Sequence, residues 1–179
     1  MKTVGEKLEP FSVPAAKPGF NNHEENGVSA FETITESSFP GKWKVSYCYP
    51  KDCTFVCPTE IVEFAKLNND LKDRDAVLMG GSTDNEFCKL AWRREHKDLT
   101  GLNHYSFGDA IGSLVDMLGV RDHSAGVALR ATFIVDPDNT FQHVSVNNLN
   151  VGSKPSALLS ILAGLQTDDL CTCNRSSVT

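Results

Sequence analysis

The chain has 179 residues, 40% apolar and 22% charged, with 17 Lys and Arg against 23 Asp and Glu for a formal net charge of -6. That length suits a single domain spanning 1–179 with one core; no apolar run nears the ~20 residues that cross a bilayer, and the acidic balance without a basic stripe argues against nucleic acid as a partner. The opening MKTVGEKLEPFSVP lacks a signal core, so a cytoplasmic location is expected, where cysteines at 48, 53, 57, 88, 171 and 173 point to redox or metal chemistry rather than a disulfide scaffold.

Residues 1–40 scatter Gly, Pro, Asn and Ser, and predict an irregular lead-in with edge strands at 11–13 and 31–35. In 43–49, Trp43, Val45, Tyr47 and Tyr49 alternate with Lys44, Ser46 and Cys48, which predicts a strand. Ile61, Phe64, Ala65 and Leu71 then recur at helical spacing, giving a helix over about 58–72. A short buried strand is expected at 76–81. Thr83 and Glu86 have the form of a capping box, predicting a helix from there to about residue 98. Residues 100–126 are mixed, with a strand near Tyr105 and a short helix over 111–118.

The clearest hairpin follows: a strand at 131–135, a turn at Asp136-Pro137-Asp138-Asn139, and a returning strand at 140–146. Pro155 opens a last helix striped with Leu158, Ile161, Leu162 and Leu165. Residues 167–179 read as a polar, mobile tail. A βαβ unit followed by a ββα unit is the order of an α/β, thioredoxin-like fold, a central mixed sheet flanked by helices.

Within this order Cys57 stands where a buried strand turns into a helix. Pro58 suits the first helical turn, because its missing N–H would find no partner there. Orphan N–H groups and the positive end of the helix dipole favour an anion at that point. Thiols so placed can reach pKa values of about 3.5 to 7.5. A thiolate nucleophile is the predicted consequence.

The run Pro50-x-x-x-Thr54-x-x-Cys57, extended as TFVCPTE through Glu60, resembles the active-site signature of the peroxiredoxins. Ser82-Thr83-Asp84, Trp92 and the segment Arg130 to Asp136 fall in that family's order, so the resemblance covers roughly residues 40–174. It implies a peroxidase without metal, haem or other cofactor, reducing hydrogen peroxide and organic hydroperoxides through a sulfenic acid on Cys57. Thr54 would offer its hydroxyl to thiolate and peroxide. Arg130 would favour the thiolate and stabilise charge on the leaving oxygen. Pro50 would shield the site, and Glu60 would hold the arginine.

A sulfenic acid needs a second thiol before further oxidation makes the damage irreversible. By the same resemblance Cys171 is the expected resolving thiol, crossing to a partner subunit, with Cys173 able to exchange with it. The form Leu170-Cys171-x-Cys173-Asn174 is similar to the alkyl hydroperoxide reductase C group. It implies a homodimer that assembles into a ring and is served by a disulfide reductase: one like alkylhydroperoxidase D, or alternatively thioredoxin or a partner like alkyl hydroperoxide reductase F. Cys53 and Cys48 depart from the family, which usually carries aromatics at both positions, and Cys88 is also unexpected. Cys53 reads as a small buried hydrophobe, with trapping of the sulfenate as the alternative. The rival class is copper delivery, with Cys53, Cys57 and His123 or His143 as soft-metal ligands.

Overall fold

The computed structural model describes residues 1–167 and 170–172; Cys173, Asn174 and much of the expected tail lie outside the described residues. The elements in chain order are β1 (Ser12–Ala16), a two-residue ladder of β2 (Glu24–Glu25) and β3 (Val28–Ser29), β4 (Phe31–Thr35), β5 (Trp43–Cys48) and α1 (Cys57–Lys72). There follow β6 (Ala76–Ser82), α2 (Glu86–Glu95), β7 (Tyr105–Gly108) and α3 (Ser113–Leu118). A second small ladder, β8 (Arg121–Asp122) and β9 (Val127–Ala128), precedes β10 (Arg130–Val135), β11 (Phe141–Asn147) and α4 (Pro155–Leu165).

Among the described residues seven strands form one mixed sheet in the order β11-β10-β5-β6-β7-β1-β4. The β5-α1-β6 and β6-α2-β7 crossovers make parallel pairs, whereas β10 returns antiparallel to β5 and β11 antiparallel to β10. Period-two alternation sends successive residues of β5 to opposite layers. Val45 and Tyr47 pack with Ile61, Phe64 and Leu71 of α1, Leu158 and Leu162 of α4, and Trp92 of α2. Cys48 packs on the other face with Phe133, Phe107 and Leu114, Val115 and Leu118 of α3. The face carrying Lys44 and Cys48 is thus buried too, because α3 covers it.

Tyr47 lies flat on Phe64, ring centroids 3.8 Å apart. That placement needs glycine on the neighbouring strand, since a Cβ at Gly80 would sit 2.0 Å from the Tyr47 ring.

Three expectations change. The first strand is interior, not at an edge, because β1 pairs with both β4 and β7. The helix expected to open on a Thr83 and Glu86 capping box opens instead under Asn85, whose side chain accepts the Cys88 N–H at 3.0 Å, and it ends at Glu95. The reason is upstream: Ser82 Oγ takes the Asp84 N–H and Asp84 takes the Asp52 N–H, so the chain stays bent until Asn85. Finally, α3 starts at Ser113 rather than 111, since Gly112 just before it is left-handed, at φ 81°. The ladders β2–β3 and β8–β9 went unforeseen, as two-residue strands leave no periodicity to read.

Candidate active site

The strand-to-helix junction delivers Cys57 as the first residue of α1, with Pro58 second and no side-chain cap on the helix end. Pro58 carries no N–H and the Thr59 N–H already bonds the Val56 carbonyl at 3.2 Å, so it is the positive end of the helix dipole that favours an anion there. Cys57 is 1% exposed. The sheet then supplies a cation: Arg130, the first residue of β10, points its Nη1 at Cys57 Sγ across 3.6 Å.

That guanidinium is held from three sides. Its Nε donates to the Leu149 carbonyl at 2.7 Å, and its Nη1 also meets the Glu60 carboxylate. Glu60, on the same helix turn as Cys57, receives the Ser153 N–H at 2.7 Å on its other oxygen. Arg130 and Glu60 are both nearly fully buried. A buried pair of this kind adds little net stability, but removing one partner strands the other charge. Its clear effect here is geometric, fixing a cation against the sulfur.

A cleft of about 300 Å³ opens over this group, lined by Pro50, Lys51, Thr54, Phe55, Val56, Cys57, Arg130 and Leu149. Four of the predicted site residues, Pro50, Thr54, Cys57 and Arg130, therefore share one wall, and Glu60 stands behind it. Thr54 departs from expectation in one respect: its hydroxyl donates to the Lys51 carbonyl at 3.2 Å rather than to the sulfur. Its hydroxyl would reach a ligand in the cleft only by leaving that carbonyl.

The loop between β5 and α1 is anchored by a buried network that was not foreseen. Lys89 of α2 binds both oxygens of Asp52 at 2.8 and 2.9 Å, and Ser82 Oγ at 2.5 Å. Asp84 adds a bond to the Asp52 backbone N–H at 2.7 Å. The Ser82-Thr83-Asp84 run was a visible signal, but its partner Asp52 lies 30 residues away from Ser82.

The remaining cysteines separate by environment. Cys48 is buried, and burial pushes its thiol up to about 12, with Asp109 adding to the effect. Cys53 is exposed, contrary to the buried reading, and adopts a left-handed backbone at φ 57°. Its side chain found no aromatic-sized hole because the loop turns it outward.

Cys171 sits at the far end of the molecule from Cys57. Its Sγ lies 3.7 Å from the Gly164 carbonyl in the last turn of α4, and Gln166 there bonds the Arg74 carbonyl just past the end of α1. A helix of 16 residues is about 24 Å long at ~1.5 Å per residue. The structure thus brings Cys171 nowhere near Cys57 of the same chain. Cys173 lies outside the described residues. Among the described residues no group of three or more His, Cys, Asp or Glu is placed to hold a metal.

The AhpC/TSA family model matches residues 4–144. Alkyl hydroperoxide reductase C of Mycolicibacterium smegmatis is 47% identical over 144 residues, 80% of this chain and 73% of that protein. Among solved structures, AhpC of Mycobacterium bovis aligns with a TM-score of 0.87 at 41% identity, covering 97% of this chain and 98% of that one. A reduced 2-Cys peroxiredoxin of Plasmodium vivax aligns with a TM-score of 0.85 at 28% identity, covering 99% and 92%. The thioredoxin-like sheet, the cleft at its strand-to-helix junction and these matches agree: the chain belongs to the AhpC/TSA family, as a peroxiredoxin of the alkyl hydroperoxide reductase C type.

Proposed function

We propose that Cys57 is the peroxidatic nucleophile of this thiol-dependent peroxidase, and the observation that carries the assignment is Arg130 Nη1 at 3.6 Å from its sulfur. The Cys57 thiolate attacks the distal oxygen of a hydroperoxide in the cleft, the O–O bond breaks, and the alcohol or water departs. Arg130 and the positive end of the α1 dipole face the charge that moves onto the leaving oxygen. Thr54 leaves the Lys51 carbonyl to bond the peroxide, and Pro50 keeps bulk water off the sulfur. Glu60 acts through Arg130, as a positioning residue.

The sulfenic acid left on Cys57 is resolved by Cys171 of a partner subunit, with Cys173 exchanging afterwards. The distance between Cys57 and Cys171 within one chain supports resolution between protomers. For this the 50–56 loop must open, since Cys57 is buried. The acting unit is then a homodimer, assembled into a ring, and the disulfide is returned to thiols by a reductase like alkylhydroperoxidase D, thioredoxin or alkyl hydroperoxide reductase F. The expected compartment is the cytoplasm; among the described residues no helix is long and apolar enough to cross a membrane.

A non-reducing gel of peroxide-treated protein tests the scheme. A dimer band that vanishes in Cys57→Ser and in Cys171→Ser is expected. A monomer carrying an internal disulfide to Cys57 would refute it.

A further inference from the structure

Two cysteines outside the peroxide cleft lie in one neighbourhood. Cys53 follows Asp52, and Cys88 precedes Lys89, the two residues joined by the buried salt bridge at 2.8 Å. The Asp52 N–H is bonded to Asp84 at 2.7 Å, one turn before Cys88 on the same segment, so the loop is held from both sides of that thiol. Cys53 is exposed, Cys88 half-buried, and both are free. Cys53 does not line the cleft that holds Cys57. Partial desolvation and the Asp52 carboxylate raise the Cys53 thiol, and Cys88 adds to the rise, so the two groups share one electrostatic environment. Cys53 also carries a left-handed backbone that a β-carbon disfavours, at φ 57°. Such strain persists where the surroundings over-determine it.

We propose that Cys53 and Cys88 form a second redox couple, closing under excess hydroperoxide to a disulfide that latches the active-site loop onto α2. The inference rests on the peroxidase reading for its oxidant and for the loop opening that the latch opposes. The Cys53 sulfur attacks the distal oxygen of the hydroperoxide, the O–O bond breaks, and the alcohol leaves with the thiol proton, giving a sulfenic acid. The Cys88 thiolate then attacks that sulfur, the S–O bond breaks, and hydroxide leaves to become water. Two thiols lose two electrons and the hydroperoxide gains them.

Cys53 lies outside the cleft and lacks the Arg130 guanidinium that stands 3.6 Å from the Cys57 sulfur, so its attack is slower than that of Cys57. The latch therefore closes only when peroxide outlasts the first reaction. Once closed, it joins the Asp52 and Lys89 clamp covalently and opposes the loop opening that lets buried Cys57 reach a resolving thiol. Turnover slows, and a dithiol reductant restores it.

Peptide mapping of the full chain decides the matter. Trypsin places Cys53 in the peptide 52–66 and Cys88 in 75–89, and fragmentation within 52–66 tells Cys53 from Cys57. Reduced protein is exposed to rising hydrogen peroxide, blocked with N-ethylmaleimide and digested without reduction. Mass spectrometry should find 52–66 joined to 75–89 at peroxide levels above those that oxidise Cys57, and should still find it in Cys57→Ser. Cys88→Ser should lack the linked pair, keep the wild-type initial rate, and resist the slowing at high peroxide. Full alkylation of Cys53 and Cys88 after treatment, or loss of the linked pair in Cys57→Ser, overturns the couple. The wild-type digest reads Cys57 separately: Cys57 left unoxidised would count against the peroxidase reading alone.

Discussion

Cys57 and Arg130 are 73 positions apart in the chain, and their side chains meet at 3.6 Å because β10 lies beside β5, the strand that leads into the cysteine. The arginine reaches the sulfur only as one arm of a fork whose other contacts are the Glu60 carboxylate and the Leu149 carbonyl.

Arg130→Lys keeps the charge but cannot hold the carboxylate, the carbonyl and the sulfur together. We expect the second-order rate of Cys57 oxidation to fall roughly 100-fold, the scale of losing one donor to developing negative charge. Stopped-flow fluorescence of Trp92, which packs in the same core cluster as Cys57, would follow it. An unchanged rate would remove Arg130 from the chemistry.

Glu60→Ala leaves Arg130 buried without its counter-ion. The loss should reach about 3 kcal/mol of folding stability, seen as a lower urea midpoint, as for other broken buried pairs. Glu60→Gln, which keeps an oxygen for the Ser153 N–H, should lose less.

Cys57→Ser should abolish hydroperoxide consumption, while Cys171→Ser should complete one turnover and stall. A single-turnover burst counted against active sites distinguishes the two. Sustained turnover by Cys57→Ser would end the mechanism.

The loop clamp predicts non-additivity. Lys89→Met strands Asp52 in a site where its side chain is 3% exposed, and should cost stability on the order of 3 kcal/mol. Adding Asp52→Asn should recover much of it, because the pair then lacks an unmatched charge. Equal and additive losses from thermal or urea unfolding would contradict the clamp.

Buried His104 predicts a pH effect on folding. Its Nε2 lies 2.7 Å from the Tyr47 hydroxyl and its Nδ1 3.2 Å from Asn103 Oδ1, so the network assigns the proton to Nδ1 and leaves Nε2 to accept. Burial, with Arg93 and Lys72 adding repulsion, lowers it to about 3. Unfolding returns it to its ordinary value near 6.5. Between those values the unfolded chain holds the extra proton, so the contribution is full above pH 6.5 and shrinks by at most about 1.4 kcal/mol per pH unit as pH falls towards 3. Urea midpoints at pH 7.5 and 5.0 should differ less in His104→Gln than in wild type.

The legible part of the site was the part built from neighbours in sequence. Pro50, Thr54, Cys57 and Pro58 lie within one short stretch of chain, and a strand period changing to a helix period marks where the thiol must stand. Asp52 was in plain view inside the same motif, yet nothing local says that Lys89 will neutralise it. The capping box at Thr83 failed for the same reason: Asp84 was already committed to Asp52, and Asn85 took over the cap.

The sequence by itself determined the order of the longer strands and helices, the position of Cys57 at a helix start and the final hairpin, because hydrophobic period, proline and turn chemistry act over a few residues. Only the tertiary structure decided which cysteine faces what. Cys48 is sealed by α3, Cys53 is turned outward in the neighbourhood of Cys88, and Cys171 is left a helix length from Cys57. Burial is imposed by elements distant in the chain, and no local pattern encodes which of them will arrive. The single thiol that the motif marked out acquired its cation, and a loop clamped near a second pair of thiols, only when the sheet closed around it.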